Sequence, residues 1–180
     1  ALDSYSSAIQ ISPEFIEALY GLGLTLEGLD RIDEAIEKFK QVLIFKPDFA
    51  ELHINLGVIL QQQNQNDEAL ECFKKAIEIM PNSVEVNNNL GNIFREKNIL
   101  DEAKFFYKKA ISLKPSFYEA VFNLGVIYQE QNQFKKALDS YQKTLVIKHD
   151  HIEALNNIGA TLKELGKFEL IGIPPAPRGT

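Results

Sequence analysis

The sequence predicts an all-α protein built from stacked, antiparallel helix pairs, and three observations carry that prediction. Prolines stand at Pro13, Pro47, Pro81 and Pro115, each step 34 residues long, and the next step lands on His149. Glycine recurs on the same period at Gly23, Gly57, Gly91, Gly125 and Gly159. Within each period apolar residues keep helical spacing, as in Leu56, Ile59 and Leu60, then Ala69, Leu70, Phe73, Ala76 and Ile77. Self-similarity at a fixed period of this size marks a repeat architecture.

The elements follow in order. A half repeat covers 1–15, full repeats cover 16–49, 50–83, 84–117 and 118–151, and a half repeat covers 152–169. Position 1 of a repeat is thus residue 16, 50, 84, 118 or 152. The first helix (helix A) carries glutamate at position 2: Glu17, Glu51, Glu85, Glu119 and Glu153. Carboxylates there complement the positive end of the helix dipole, and a second reading is an acidic stripe that prefers basic partners. Asp30, Asn64, Asn98, Asn132 and Gly166 follow helix A, residues that tolerate the left-handed conformation of a helix end and tight turn. Helix B then opens with Asp33-Glu34, Asp67-Glu68 or Asp101-Glu102, and the periodic proline stops it. Alanine at position 20 (Ala1, Ala35, Ala69, Ala103, Ala137) and the glycine at position 8 let the two helices approach closely. Tyr5, Phe39, Phe73, Tyr107 and Tyr141 at position 24 fill the space against the next repeat. Each aromatic contributes about 1.5–3 kcal/mol on burial, and stability is carried by nearest-neighbour stacking.

With Leu22, Leu56, Leu90, Leu124 or Ile158 before each glycine, and Ala8, Val42, Ala76, Ala110 or Thr144 at position 27, these columns resemble the tetratricopeptide repeat pattern L-G-x-x-Y … A-x-x-x-F-x-x-A … P. The usual tryptophan at position 4 is replaced by Leu19, His53, Asn87, Val121 and Leu155. The resemblance covers residues 1–169 and implies a right-handed superhelical solenoid with helix A lining a concave surface.

Composition excludes several classes. Apolar residues make up 45% of 180 residues, enough for a buried core. No apolar run approaches the roughly 20 residues that span a bilayer. The net charge of −6 argues against a phosphate-tracking surface, so neither nucleic acid nor membrane is expected as a partner. The single Cys72, without an N-x-S/T sequon in the chain, fits a reducing cytoplasmic or nuclear home. The chain starts in mid-pattern with no signal peptide, as a fragment of something longer would.

The expected working surface is the helix A face, which in solenoids holds extended partners. Position 6 carries Asn55, Asn89, Asn123 and Asn157 after Gly21. Each amide offers a donor and an acceptor, so the column can grip a peptide backbone without reading its side chains, or it can bond neighbouring helices. Tyr20, Asn88 and Phe122 at position 5 and Asn92 at position 9 complete the peptide-binding candidates. The chaperone-binding members of the family grip an acidic C-terminus with a carboxylate clamp. Its best register here, Asn88, Asn92, Asn123, Glu153 and Asn157, has none of the required cations and places Glu153 against the ligand. The unbroken array, the asparagine column and Lys46-Pro47-Asp48-Phe49 are more similar to the superhelical region of O-linked N-acetylglucosamine transferases, which implies a substrate-selecting groove serving a separate catalytic domain.

No catalytic constellation is expected, no cofactor and no metal. His149-Asp150-His151 offers too few rigid ligands, and Asp150 is expected as an N-cap in the manner of Asp48 and Ser116. Cys72 reads as a half-buried packing residue. Residues 170–180 form a proline-rich tail outside the pattern; 169–179 resemble a segment of the seventy-kilodalton heat-shock chaperones. Without a helix B after 169, the stripe Leu155, Ile158 and Leu162 is expected to be partly uncovered. The function expected is an interaction scaffold for an extended or disordered protein segment, with self-association through the end repeats as a further expectation.

Overall fold

The structure, a computed structural model, describes residues 4, 5, 7, 9, 12 and 15–170, with side chains through Gly166. The tail beyond residue 170 and most of the first half repeat lie outside the described residues, and with them the expectations placed there. The described elements are helices: α1 (Ile16–Gly28), α2 (Ile32–Phe45), α3 (Ala50–Gln62), α4 (Asn66–Ile79), α5 (Val84–Glu96), α6 (Leu100–Leu113), α7 (Tyr118–Glu130), α8 (Phe134–Ile147) and α9 (Ile152–Leu170). They form an all-α array of helix pairs in two compact units, one through Pro81 and one from Asn82.

The turn between the two helices of each pair is set by one left-handed residue. Asp30, Asn64, Asn98 and Asn132 have φ of 61°, 60°, 59° and 58°. The next backbone N–H then reaches back five residues to a helix carbonyl, as Arg31 does to Leu26 at 2.9 Å and Ile99 to Phe94 at 2.8 Å. This is the reverse turn that satisfies the orphan carbonyls of a helix end. Gly166 departs from the expectation, because α9 continues through it to Leu170. Lys167 to Leu170 are residues that sustain a helix, and a glycine interrupts one at a cost of only about 1 kcal/mol.

In the first unit α1 pairs with α2 and α3 with α4, and α2 packs on α3. Phe39 and Phe73 are fully buried, and each ring lies in the notch left by a glycine of its own pair. A Cβ on Gly57 would stand 2.7 Å from the Phe73 ring, closer than carbon atoms approach. Ala35 and Ala69, also fully buried, bring the helix backbones together.

In the second unit α5 pairs with α6 and α7 with α8, and α9 packs on α8. Tyr107 and Tyr141 are fully buried. Tyr107 covers Gly91, whose added Cβ would meet it at 2.5 Å, and it shares a core with Ala120, Leu124 and Ile127 of α7. Tyr141 joins Ala137 and Ala154, with Phe122 and Ile158 against them. Tyr107 and Tyr141 therefore each fill the glycine notch of their own pair as well as the space toward the next helix A. Gly159 on α9 is different: nothing lies within 4 Å of a Cβ placed there. The expected stripe is uncovered in part, with Leu155 and Leu162 each 52% exposed and Ile158 half-buried.

The polar replacements at position 4 are buried. His53 donates from Nε2 to Pro47 O at 2.9 Å, and Asn87 donates from Nδ2 to Ser83 O at 2.7 Å. Each side chain then holds a second polar atom, His53 Nδ1 or Asn87 Oδ1, that is buried without a partner.

Candidate functional site

On the second unit, α5 and α7 lie side by side, so that residues at repeat positions 5, 6 and 9 of one helix A face those of the next. Asn88 and Asn92 are one turn apart on α5. Asn123 of α7 donates from Nδ2 to both, at 3.3 Å to Asn88 Oδ1 and 3.1 Å to Asn92 Oδ1. Asn92 Oδ1 also accepts from the Tyr107 hydroxyl at 2.8 Å. Asn88 is 7% exposed; Asn92 and Asn123 are half-buried. The result is a rigid amide cluster held from below by a buried phenol.

Asn89 stands beside this cluster, half-buried, and its side chain makes no hydrogen bond among the described residues. Phe122 packs at 5.6 Å from Tyr141 and 4.7 Å from His151, centroid to centroid. Asn157 on α9 is half-buried, and its backbone carbonyl accepts from the Thr161 hydroxyl at 2.6 Å. The structure thus brings Asn88, Asn89, Asn92 and Asn123 together and places Phe122 on α7 over the Tyr141 ring. In the first unit, Asn55 is exposed on α3 without a side-chain hydrogen bond. Tyr20 is half-buried on α1 between Phe39 at 6.0 Å and Phe49 at 5.5 Å.

The phenol of Tyr141 is pushed up to about 12, first by burial, and the Asn157 side chain works against that rise. Burial pushes the Tyr107 phenol up as well. Both are therefore neutral donors at ordinary pH. Tyr141 donates to Gln129 Oε1 at 2.7 Å, which also accepts from Thr161 Oγ1 of α9 at 3.1 Å. Sequence reasoning missed Gln129 and Thr161. The signal was partial: a buried tyrosine at position 24 needs an acceptor, and Asn92 at position 9 of one repeat and Gln129 at position 12 of the other are in place to supply it, although Glu27 and Gln61 stand at position 12 of the phenylalanine repeats as well.

The His149-Asp150-His151 segment is structural. His149 Nδ1 donates to Leu145 O at 2.8 Å. The N-cap of α9 is His151, not Asp150: His151 Nδ1 accepts from Ala154 N–H at 3.2 Å. Helices α3 and α7 likewise begin one residue later than expected, after Phe49 and Phe117, neither of which caps through its side chain. Glu153 Oε2 approaches the same His151 nitrogen to 3.2 Å. Among the described residues no three His, Cys, Asp or Glu side chains are placed to hold a metal ion.

A second concavity lies in the first unit, about 520 Å³, floored by Leu56 and Leu60 of α3 and walled by Leu43 of α2 and Cys72 of α4. The Lys40–Glu68 ion pair joins α2 and α4 at its edge. Burial pushes the Cys72 thiol up to about 11, which keeps it protonated and unreactive, as a packing residue is.

The tetratricopeptide repeat family matches residues 50–83 and 118–151, and a second TPR repeat family matches 29–64 and 91–132. The chain belongs to the tetratricopeptide repeat family. No curated protein matches it. Among solved structures the tetratricopeptide array is similar to YrrB, described as a TPR protein with an unusual peptide-binding site. The two share 27% identity and a TM-score of 0.79, over 87% of this chain and 80% of that one. It is also similar to MamA, at 26% identity and a TM-score of 0.78 over 86% and 84% of the two chains. A MamA fragment from Desulfovibrio magneticus RS-1, at 20% identity and a TM-score of 0.76 over 83% and 85%, shares the fold. A tetratricopeptide array of this kind is a protein-interaction scaffold.

Proposed function

We propose that this chain binds an extended protein segment along its helix A face, with the Asn88–Asn89–Asn92–Asn123 cluster of the second unit as the grip. The observation that carries the reading is the state of Asn89. Its amide is unbonded, while its neighbours are fixed by bonds to one another and to Tyr107. A free amide on a rigid polar base can pair with both the N–H and the C=O of one peptide unit, and preorganisation lowers the entropic cost of doing so. Asn55 offers the same free amide in the first unit. Phe122 adds an apolar rest for a ligand side chain. The peptide-binding character stated for the similar protein YrrB supports the reading.

The test is binding of a library of unstructured peptides to the wild type and to Asn89→Ala. Because Asn89 makes no internal bond, its truncation leaves the fold intact, and peptide binding is expected to weaken by roughly tenfold, the size of one hydrogen bond to an amide. Equal binding by wild type and variant at unchanged stability would sink the proposal.

A further inference from the structure

One residue breaks the repeat on its outward face. Position 22, on helix B, is acidic in the other full repeats: Glu37, Glu71 and Asp139, all exposed. In α6 it is Phe105, 61% exposed and the most exposed of the described aromatic side chains. Its ring is not a stray. It meets Phe106 edge-on at 5.2 Å, and Phe106 stacks on Phe94 of α5 at 5.4 Å and 3°. Phe94 in turn packs on the core around Tyr107 and Ile127. A ladder of three rings therefore runs from the interior to the solvent, and the outermost is held in place by the two beneath it.

The charges around Phe105 are uneven. Lys108 and Lys109 lie three and four residues on, one helical turn away on the same face. Neither ammonium is engaged in an ion pair among the described residues. On the other side Asp101 is taken by Lys104 at 2.6 Å, leaving Glu102 as the one acid a turn before Phe105. A rigid exposed aromatic flanked by two free cations is a place where burial and charge can act together.

We propose that Phe105, with Lys108 and Lys109, is a second docking surface of this chain. It takes a protein segment that lays an aromatic or aliphatic side chain on the Phe105 ring and brings carboxylates to the two lysines. The surface is on helix B and does not depend on the helix A reading.

The test selects short random peptides on the full chain by display and measures the survivors against variants. Phe105→Glu installs the acid that the other repeats carry, so the helix and its melting temperature are expected to be unchanged. Selected peptides are expected to combine Phe, Tyr, Leu or Ile with Asp or Glu. A set of them should lose roughly tenfold or more of its affinity on Phe105→Glu, lose affinity on Lys108→Glu with Lys109→Glu, and weaken with added salt. The same set should keep its affinity on Asn89→Ala, which separates this surface from the first. If no selected peptide responds to Phe105→Glu, or if those that respond carry no acids and ignore the lysine variants, the proposal is overturned. Concentration-dependent sedimentation of the wild type that Phe105→Glu abolishes would name a second copy of the chain as occupant, and would overturn it too.

Discussion

The Tyr107 hydroxyl donates to Asn92 Oδ1 across 2.8 Å, from a side chain that is itself fully buried. That bond accounts for an asparagine at a position where the other repeats carry Leu24, Val58, Val126 and Ala160. The acceptor cannot come from position 12 in this repeat, because Arg95 stands there and has only donors.

Tyr107→Phe is expected to destabilise the wild type by about 1 kcal/mol, the net worth of one hydrogen bond. In an Asn92→Leu background, where the hydroxyl has lost its acceptor, the same change is expected to be neutral or stabilising. Asn92→Leu alone should destabilise by about 1–3 kcal/mol, since it strands the buried hydroxyl and removes one of the two bonds of the Asn123 amide. Urea denaturation of the four proteins measures the coupling; strictly additive effects would contradict it.

Gly57→Ala and Gly159→Ala are expected to differ in sign. Alanine is the better helix former by about 1 kcal/mol. At Gly57 the new methyl collides with the Phe73 ring, and overpacking of about 1–3 kcal/mol outweighs the gain. At Gly159 nothing is within reach of the methyl, so only the gain remains. Thermal unfolding followed by circular dichroism should show a lower Tm for the first variant and an equal or higher Tm for the second.

Asn87→Leu is expected to stabilise by about 1 kcal/mol. The substitution removes a buried Oδ1 that has no partner. Ser83 O, which loses the Asn87 side chain, still accepts the Asn87 backbone N–H at 3.2 Å. Leucine already stands at this repeat position in Leu19 and Leu155. Chemical denaturation that shows a loss of stability would contradict the assignment.

Stability should fall in alkali. Burial raises the acids Cys72, Tyr107 and Tyr141 in the folded chain, so the unfolded chain releases their protons first. Above the ordinary thiol and phenol values of 9.0 and 10.0 the unfolded state binds fewer protons, and the unfolding free energy declines with pH. Below about 9 these groups contribute no slope. A double Tyr107→Phe, Tyr141→Phe variant should show a shallower decline, read from urea midpoints across that range.

Much of this fold was legible because the repeat states each rule several times. The left-handed turns at Asp30, Asn64, Asn98 and Asn132 and the pairing of glycine with a buried aromatic follow from local sterics, which the residue types announce. Gly166 was misread for the same reason in reverse. A left-handed residue ends a helix when a second helix folds back onto the first, and Gly166 alone does not supply one. The site was less legible. The columns identified Asn88, Asn89, Asn92 and Asn123, but which amides are spent inside the molecule depends on distances between α5 and α7 that no column records. The capping role of His151 was hidden because an imidazole that accepts from a backbone amide looks, in sequence, like any other histidine.

The switch from phenylalanine to tyrosine at the helix-pair joints has an optical consequence. The chain has no tryptophan and six tyrosines. The joints of the first unit are made by Phe39 and Phe73, those of the second by Tyr107 and Tyr141. Tyr20 packs on Phe39 in the first unit, but with Tyr5 and Tyr20 changed to phenylalanine, phenolate absorbance and tyrosine emission see the joints of the second unit and are blind to those of the first, while circular dichroism sees both. The molecule carries its own label, and a mismatch between the two signals during unfolding would tell which unit lets go first.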